Sequence, residues 1–380
     1  MNITRLRKNH FEMIFLLILI AITLCLFAGC GNSATNQKDL QNKLSAYADQ
    51  KITISGLTDK DFEITVADLM KLDTVTESAV SNRANGEEVK VKVTGPLLDT
   101  FLASYGKTQK NFSVIRFMAT DNYSIAASSD ILNNRGIILA FMDKGEALVK
   151  DEQPVKVIIP GERAMYWVKK LSRIDFETGD AADLCNKIIV IDTAVKSLPQ
   201  EDYNYYGSVD KVIKTKDLIG NYADINDNSI KNIFMYSGDG LKKNETVANF
   251  LIGYLKITGE DIPRFLSHDL PQGMHVKDLL CVNYGTTAFF SMSQALKVLT
   301  TTTDAEQNTG IAFTDIVKKI GTVNAKSYKF TSSDGTSLEL AITDMANAYV
   351  YQDSDGVVSF NLGYQDNEIV KDLISVELIK

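Results

Sequence analysis

Histidine, cysteine and tryptophan are scarce in this chain: its 380 residues include three His, four Cys and one Trp. That scarcity excludes a histidine-rich metal centre and a disulfide framework, and it leaves few general-base histidines. A surplus of basic charge is missing as well, because 40 Lys+Arg face 48 Asp+Glu for a net −8. The broad positive footprint that nucleic acid requires is therefore absent. What is present is ordinary globular composition, 45% hydrophobic and 23% charged, at a length that suits two or three domains.

The N-terminus reads as an address. Arg5, Arg7 and Lys8 precede an apolar run from Met13 to Phe27, which as a helix would reach ~22 Å, short of a bilayer core of ~30 Å. Small residues follow at Ala28, Gly29 and Cys30, completing the three parts of an export signal. Leu26-Phe27-Ala28-Gly29-Cys30 resembles a bacterial lipoprotein box. It implies a signal peptide over 1–29, lipidation of Cys30 and anchoring on the extracytoplasmic face of the cell membrane. An ordinary signal cut nearby and an uncleaved anchor are the alternatives. Residues 31–50 are polar and contain no Pro, so 30–50 reads as a tether whose second half is a short helix. Cys185 and Cys281 are then the cysteines left in the body, read as two unpaired thiols, with pairing left open.

The body repeats itself. Ile52, Asp59, Val66, Asp68, Leu69, Thr76 and Ser81 fall in order, without a gap, on Ile262, Asp269, Val276, Asp278, Leu279, Thr286 and Ser291. Gly95 and Gly106 fall on Gly310 and Gly321, while Val155, Gly161, Val168, Lys169 and Leu171 fall on Val357, Gly363, Val370, Lys371 and Leu373. Within the unit, Leu97, Leu98, Phe101, Leu102 and Tyr105 mark a short amphipathic helix stopped by Gly106. Ser113–Ala119 and Lys326–Ser332 read as strands that turn at Asp121-Asn122 and Asp334-Gly335. The expected fold is α+β with two tandem units: residues 51–178, a connector over 179–210, and a divergent second unit over 211–380 in which 211–257 is an inserted half-unit or the start of a domain in another register. Thr215-Lys216-Asp217-Leu218 echoes Val66-Ala67-Asp68-Leu69 there.

Several local motifs lead nowhere. Asp224-x-Asn226-x-Asn228 opens like a calcium loop, but Ser229 stands at its glycine position and Met235 at its bidentate Glu. His268 and His275 are separated by Pro271 and Gly273, which deny them one helix face. Gly238-Asp239-Gly240 lacks the third glycine and the helix of a phosphate loop and reads as a turn. Cys281 lies among apolar residues, as a buried inert thiol would.

A family resemblance rests on Ile54-Ser55-Gly56-Leu57, Ile64-Thr65-Val66-Ala67-Asp68-Leu69, Gly95-Pro96-Leu97-Leu98, Asp121-Asn122-Tyr123-Ser124, Pro160-Gly161 and Val168-Lys169. In order and spacing these resemble the molybdopterin-binding catalytic domain of the sulfite oxidase family. The stretch from residue 262 to the end is similar more weakly, through Asp334-Gly335-Thr336-Ser337, Gly363 and Val370-Lys371. The resemblance implies a mixed α+β fold and, in active members, a molybdenum cofactor held by one Cys thiolate. Here Ala79 occupies the ligand position within Ser78-Ala79-Val80-Ser81-Asn82-Arg83, and Phe289 occupies it in the second unit. A methyl group or a phenyl ring cannot ligate a metal. The family's late His is missing from Gly145–Val157, and Lys156 replaces an Arg, losing its bidentate fork.

The resemblance leaves Asn82, Arg83, Gly161 and Lys169 as a vestigial cofactor-binding set, with surface charge as the competing reading of the lysines. The reading that follows is a membrane-anchored lipoprotein whose degenerate domains serve binding or assembly, with no cofactor expected and an unknown protein or small molecule as partner. The alternative is a molybdopterin-dependent oxidoreductase in which the dithiolene alone, or a hydroxyl such as Ser78 or Ser81, holds the metal.

Overall fold

The computed structural model describes residues 31–380 apart from 84–86, 179–183, 206, 304–308 and 364–368. The stretch read as an export signal, with Cys30, lies outside the described residues. No helix among those described is long and apolar enough to cross a membrane.

The stretch read as a tether is a helix, Gly31–Ser45, whose last turn belongs to the body. Leu44 and Tyr47 are buried, and the Tyr47 hydroxyl donates to the Phe141 carbonyl at 2.6 Å while accepting from the Leu148 N–H at 3.2 Å. The stretch therefore ends in a docked segment, because burying the Leu44 and Tyr47 side chains is favourable.

The first unit forms a five-stranded sheet in the order Phe62–Thr65, Lys51–Ser55, Leu171–Glu177, Val114–Ala119, Ser124–Ser128. Lys51–Ser55 runs parallel to Leu171–Glu177, and the other pairs are antiparallel. Alternation in Lys51–Ser55 buries Ile52 and Ile54. Thr65 starts the helix Val66–Met70 with a capping box to Asp68. Hydrogen bonds from Lys71, then Thr65, hold the Asp68 carboxyl down to about 2. The long hairpin Thr74–Asn82 with Glu88–Pro96 crosses this unit. Gly95 is required there, because a Cβ would stand 2.1 Å from the Leu139 carbonyl oxygen.

A strand and helix, a hairpin and helix, a second hairpin and helical turn, two short paired strands and a closing strand recur in that order three times, over 62–177, 187–284 and 287–379. Each closing strand follows a similar tetrapeptide in the same backbone geometry. Val168-Lys169-Lys170-Leu171, Val276-Lys277-Asp278-Leu279 and Val370-Lys371-Asp372-Leu373 each place a left-handed residue (φ 55, 51 and 51) just before the strand. Val168, Val276 and Val370 bind the backbone of Val157, Phe265 and Phe360 in turn.

This arrangement departs from the expected boundaries. The stretch 179–210 is not a bare connector, since it holds the strand Lys187–Val190, the helix Ile191–Ala194 and most of a hairpin. Residues 211–257 are not a half-unit but the interior of the middle set, and Thr215–Tyr222 takes the place of Leu98–Ala103 rather than that of Val66–Met70. The pairing of Asp68 with Asp278 and of Ser81 with Ser291 also fails. Asp68 lies in a first helix and Asp278 before a closing strand, while Ser81 lies in a hairpin and Ser291 caps a helix. Gly95 and Gly310, by contrast, lie in matching strands ahead of matching helices.

The middle and last sets share one eight-stranded sheet. Lys187–Val190 pairs with the last set's closing strand, and Thr287–Phe290 pairs with the middle set's. The Asp192 carboxylate accepts from Met292 N–H at 2.7 Å and Ser293 N–H at 3.0 Å, capping a helix of the neighbouring set. Arg116 joins the first unit to this sheet through Asn232 and Asn244.

Candidate functional site

The site is a cleft of about 650 Å³ between the first and middle sets. Arg83 and Arg163 reach it from one side, and Arg264, His275 and Lys277 from the other. Local structure sets the first side. Pro160-Gly161 turns the chain with Gly161 at φ 78, and the Gly161 N–H donates to the Val80 carbonyl at 3.1 Å. The Ser81 hydroxyl donates to the Glu162 carbonyl. These two bonds fasten the turn carrying Arg163 beside the hairpin end that carries Arg83.

Carboxylates orient the arginines. Arg163 donates to the Asp239 carboxylate at 2.9 Å and to its carbonyl at 2.8 Å, Arg83 pairs with Glu87 at 2.8 Å, and Arg264 pairs with Asp261 at 3.3 Å. Burial raises the Asp239 carboxyl, but hydrogen bonds from Ser237, the Leu241 N–H and Arg163 outweigh it and hold the group below its ordinary value. His275 shares a 2.9 Å hydrogen bond with the Ser267 carbonyl. Burial, helped by the charges of Arg264 and Lys243, lowers its pKa, so the ring is neutral at pH 7. The cleft can thus hold an anion through fixed guanidinium and ammonium groups.

Of the residues singled out in the sequence, Arg83 lines this cleft. Gly161 shapes the adjoining turn, and Asn82 pairs through its backbone with Glu88. Lys169 lies elsewhere: it pairs with Glu152 at 2.6 Å, and Glu152 also holds buried Lys156 at 3.1 Å. Burial would raise the Glu152 carboxyl, yet the two lysines keep it below its ordinary value. Arg264 begins its strand as Lys156 does, and Lys277 precedes a left-handed residue as Lys169 does. Arg264 and Lys277, at these positions of the middle set, line the cleft. The tetrapeptide Val276-Lys277-Asp278-Leu279 was the signal that would have found them.

Ala79 and Phe289 do not line the cleft. Ala79 is 2% exposed and packs in an apolar cluster with Val91, Ile158 and Trp167. Phe289 is buried in the core of the middle set against the edge of Tyr222. The two are not equivalent positions, because one lies in a hairpin and the other in a sheet strand beside a capped helix. Ser78 is exposed on its strand, and Ser81 is committed to Glu162.

Residues 40–184 match the oxidoreductase molybdopterin binding domain family. This part of the chain is similar to a sulfite oxidase-like molybdopterin-binding domain. No curated protein matches the chain. Among solved structures, the sulfane dehydrogenase SoxCD from Paracoccus pantotrophus is similar at 13% identity over 88% of this chain and 78% of that one. Its TM-score of 0.31 supports no argument about fold or activity.

The stretch that matches this family does not offer the donor set of a thiolate-ligated molybdenum. Ala79 presents a packed methyl group, while the thiols of Cys185 and Cys281 are buried in a different core. Among the described residues, no group of three or more His, Cys, Asp or Glu is placed to hold a metal. His268 stacks on the Tyr203 ring at 4.1 Å, apart from His275. Asp224 and Asp227 accept hydrogen bonds from Asn226 and Ser229 within their own turn.

Proposed function

We propose that this chain is a lipid-anchored extracytoplasmic binding protein whose molybdopterin-family domain is degenerate and non-catalytic, and that the cleft recognises a small polyanion. The observation that carries this reading is the convergence of Arg83, Arg163, Arg264 and Lys277 on one cleft, where Glu87, Asp239 and Asp261 hold the three guanidinium groups in place and Lys277 adds a further positive charge. Cations gathered in one cleft attract anions and fix their orientation. The apolar packing of Ala79 supports loss of the metal function. The three recurring sets support descent from one repeated domain, with the middle set supplying half of the binding surface. The lipoprotein box supports lipidation of Cys30 and attachment to the cell membrane.

Pyrophosphate titrated into the mature chain tests the binding reading. Binding is expected to weaken with salt and to fall by about tenfold when Lys277 is replaced by Ala, as loss of one charge-assisted contact requires. Salt-independent binding, or an unchanged constant in K277A and R83A, overturns it.

A further inference from the structure

Arg163 and Asp239 both line the cleft, the first from the turn after Pro160-Gly161 and the second from a hairpin turn of the middle set. Their side chains are 37% and 41% exposed, so both are within reach of a dissolved ligand. Arg163 Nη1 donates to the Asp239 carboxylate at 2.9 Å, and Nη2 donates to the Asp239 carbonyl at 2.8 Å. Two such N–H groups form the fork with which a guanidinium grips a phosphate or carboxylate in parallel bonds. Here Asp239 fills it.

The turn explains why this carboxylate is so firmly placed. The Ser237 N–H donates to the Leu241 carbonyl at 2.9 Å, and Asp239 Oδ1 accepts from the Ser237 hydroxyl at 2.7 Å and from the Leu241 N–H at 3.1 Å. The same turn recurs in the other sets, where Asp121 accepts from the Tyr123 N–H at 3.2 Å and Asp334 from the Thr336 N–H at 2.8 Å. Turn chemistry alone therefore accounts for an aspartate at this place. What is added in the middle set is Arg163, which takes the second oxygen, Oδ2.

We infer that Asp239 is a built-in competitor of the anionic ligand, occupying the Arg163 fork until an oxyanion displaces its carboxylate. The inference rests on the reading of the cleft as a polyanion site and names a restraint on that same site. A ligand with several negative charges also meets Arg83, Arg264 and Lys277, so it can displace a single carboxylate that touches Arg163 alone. Displacement does not set Arg163 adrift. The Asp239 carbonyl still accepts from Nη2, so the guanidinium keeps its place while its charge is passed to the ligand.

The test titrates pyrophosphate into the full mature chain in non-ionic detergent, as wild type, Asp239→Asn, Arg163→Ala and the double variant. Asparagine keeps the oxygen that the turn uses and removes the charge that Arg163 meets. An exposed ion pair of this kind is weak, so D239N is expected to bind about three- to fivefold more tightly than wild type. That gain should vanish in the R163A background, as a double-mutant cycle requires of a direct contact. Asp334→Asn, the same change in the last set's turn, should leave binding unchanged. Asp239→Ser, whose hydroxyl also supports such a turn, repeats the measurement should the Asn side chain unsettle the fold. Wild-type binding with no gain in D239N or D239S, a gain that persists undiminished in R163A, or an equal gain in D334N overturns this inference alone. Absence of pyrophosphate binding in every variant overturns the reading of the cleft, and the inference with it.

Discussion

Lys243→Met is the most informative stability perturbation in this fold. Lys243 and Glu245 sit on one strand with side chains 1% and 0% exposed, their charged atoms 3.3 Å apart. The Lys243 ammonium donates to the Met274 carbonyl, while Glu245 Oε1 accepts from the Thr246 N–H at 2.9 Å and from Asn249 at 2.9 Å. Among the described residues Glu245 Oε2 has no hydrogen-bond partner, and it lies 3.3 Å from the Lys243 ammonium. Burial, only partly offset by Glu245, lowers Lys243 from 10.5 to about 8. That gap corresponds to about 3 kcal/mol of cost in keeping it charged at neutral pH. The Met variant removes this cost but strands a buried carboxylate and an unbonded carbonyl, and breaking such a pair from one side costs about 3–5 kcal/mol. The double variant K243M/E245Q should recover stability to within about 1 kcal/mol of wild type. In the wild type the folded state releases the lysine proton first, so the unfolded state binds more protons between pH 8 and 10.5 and stability rises with pH across that window. Urea unfolding at several pH values measures both effects. A K243M cost below about 0.5 kcal/mol, a double variant weaker than the single one, or flat wild-type stability in that window would refute the reasoning.

Other expectations are simpler. Cys30→Ala should end fatty-acid incorporation and release the chain from membranes or leave it uncleaved, and unchanged labelling would exclude lipidation there. Gly95→Ala should lower stability by more than about 2 kcal/mol, because the added Cβ meets the backbone of Leu139 and not a movable side chain; thermal unfolding checks this. Ala79→Cys should yield no sulfite or sulfoxide turnover, since a thiol there enters the packed cluster of Val91, Ile158 and Trp167, and measurable turnover would contradict that.

Local elements were legible in the sequence where the physics is local. The hairpin turning at Asp121-Asn122 forms, with Asn122 at φ 65, and the one turning at Asp334-Gly335 forms with Gly335 at φ 89. The short helix stopped before Gly106 also forms. The middle set was missed because Val66, Asp68 and Leu69 can be laid on Val276, Asp278 and Leu279 without a gap, and apolar coincidence outweighed the Val-Lys-Asp-Leu pattern shared with residues 370–373. The lysines failed for a different reason. Lys169 has a site-like sequence context, but Glu152 claims it, and that contact arises from folding. Most of the cleft was likewise hidden, since Arg83 and Lys277 meet only after two distant sets of elements dock.

Molybdenum and pterin quantified in the unmodified chain, purified from a host that makes the cofactor, test the proposed loss of the metal function most directly. With Ala79 buried among apolar side chains, neither should be present above trace amounts. Molybdenum in stoichiometric amount, retained through purification with its pterin, would contradict that loss and require a ligand other than the missing thiolate.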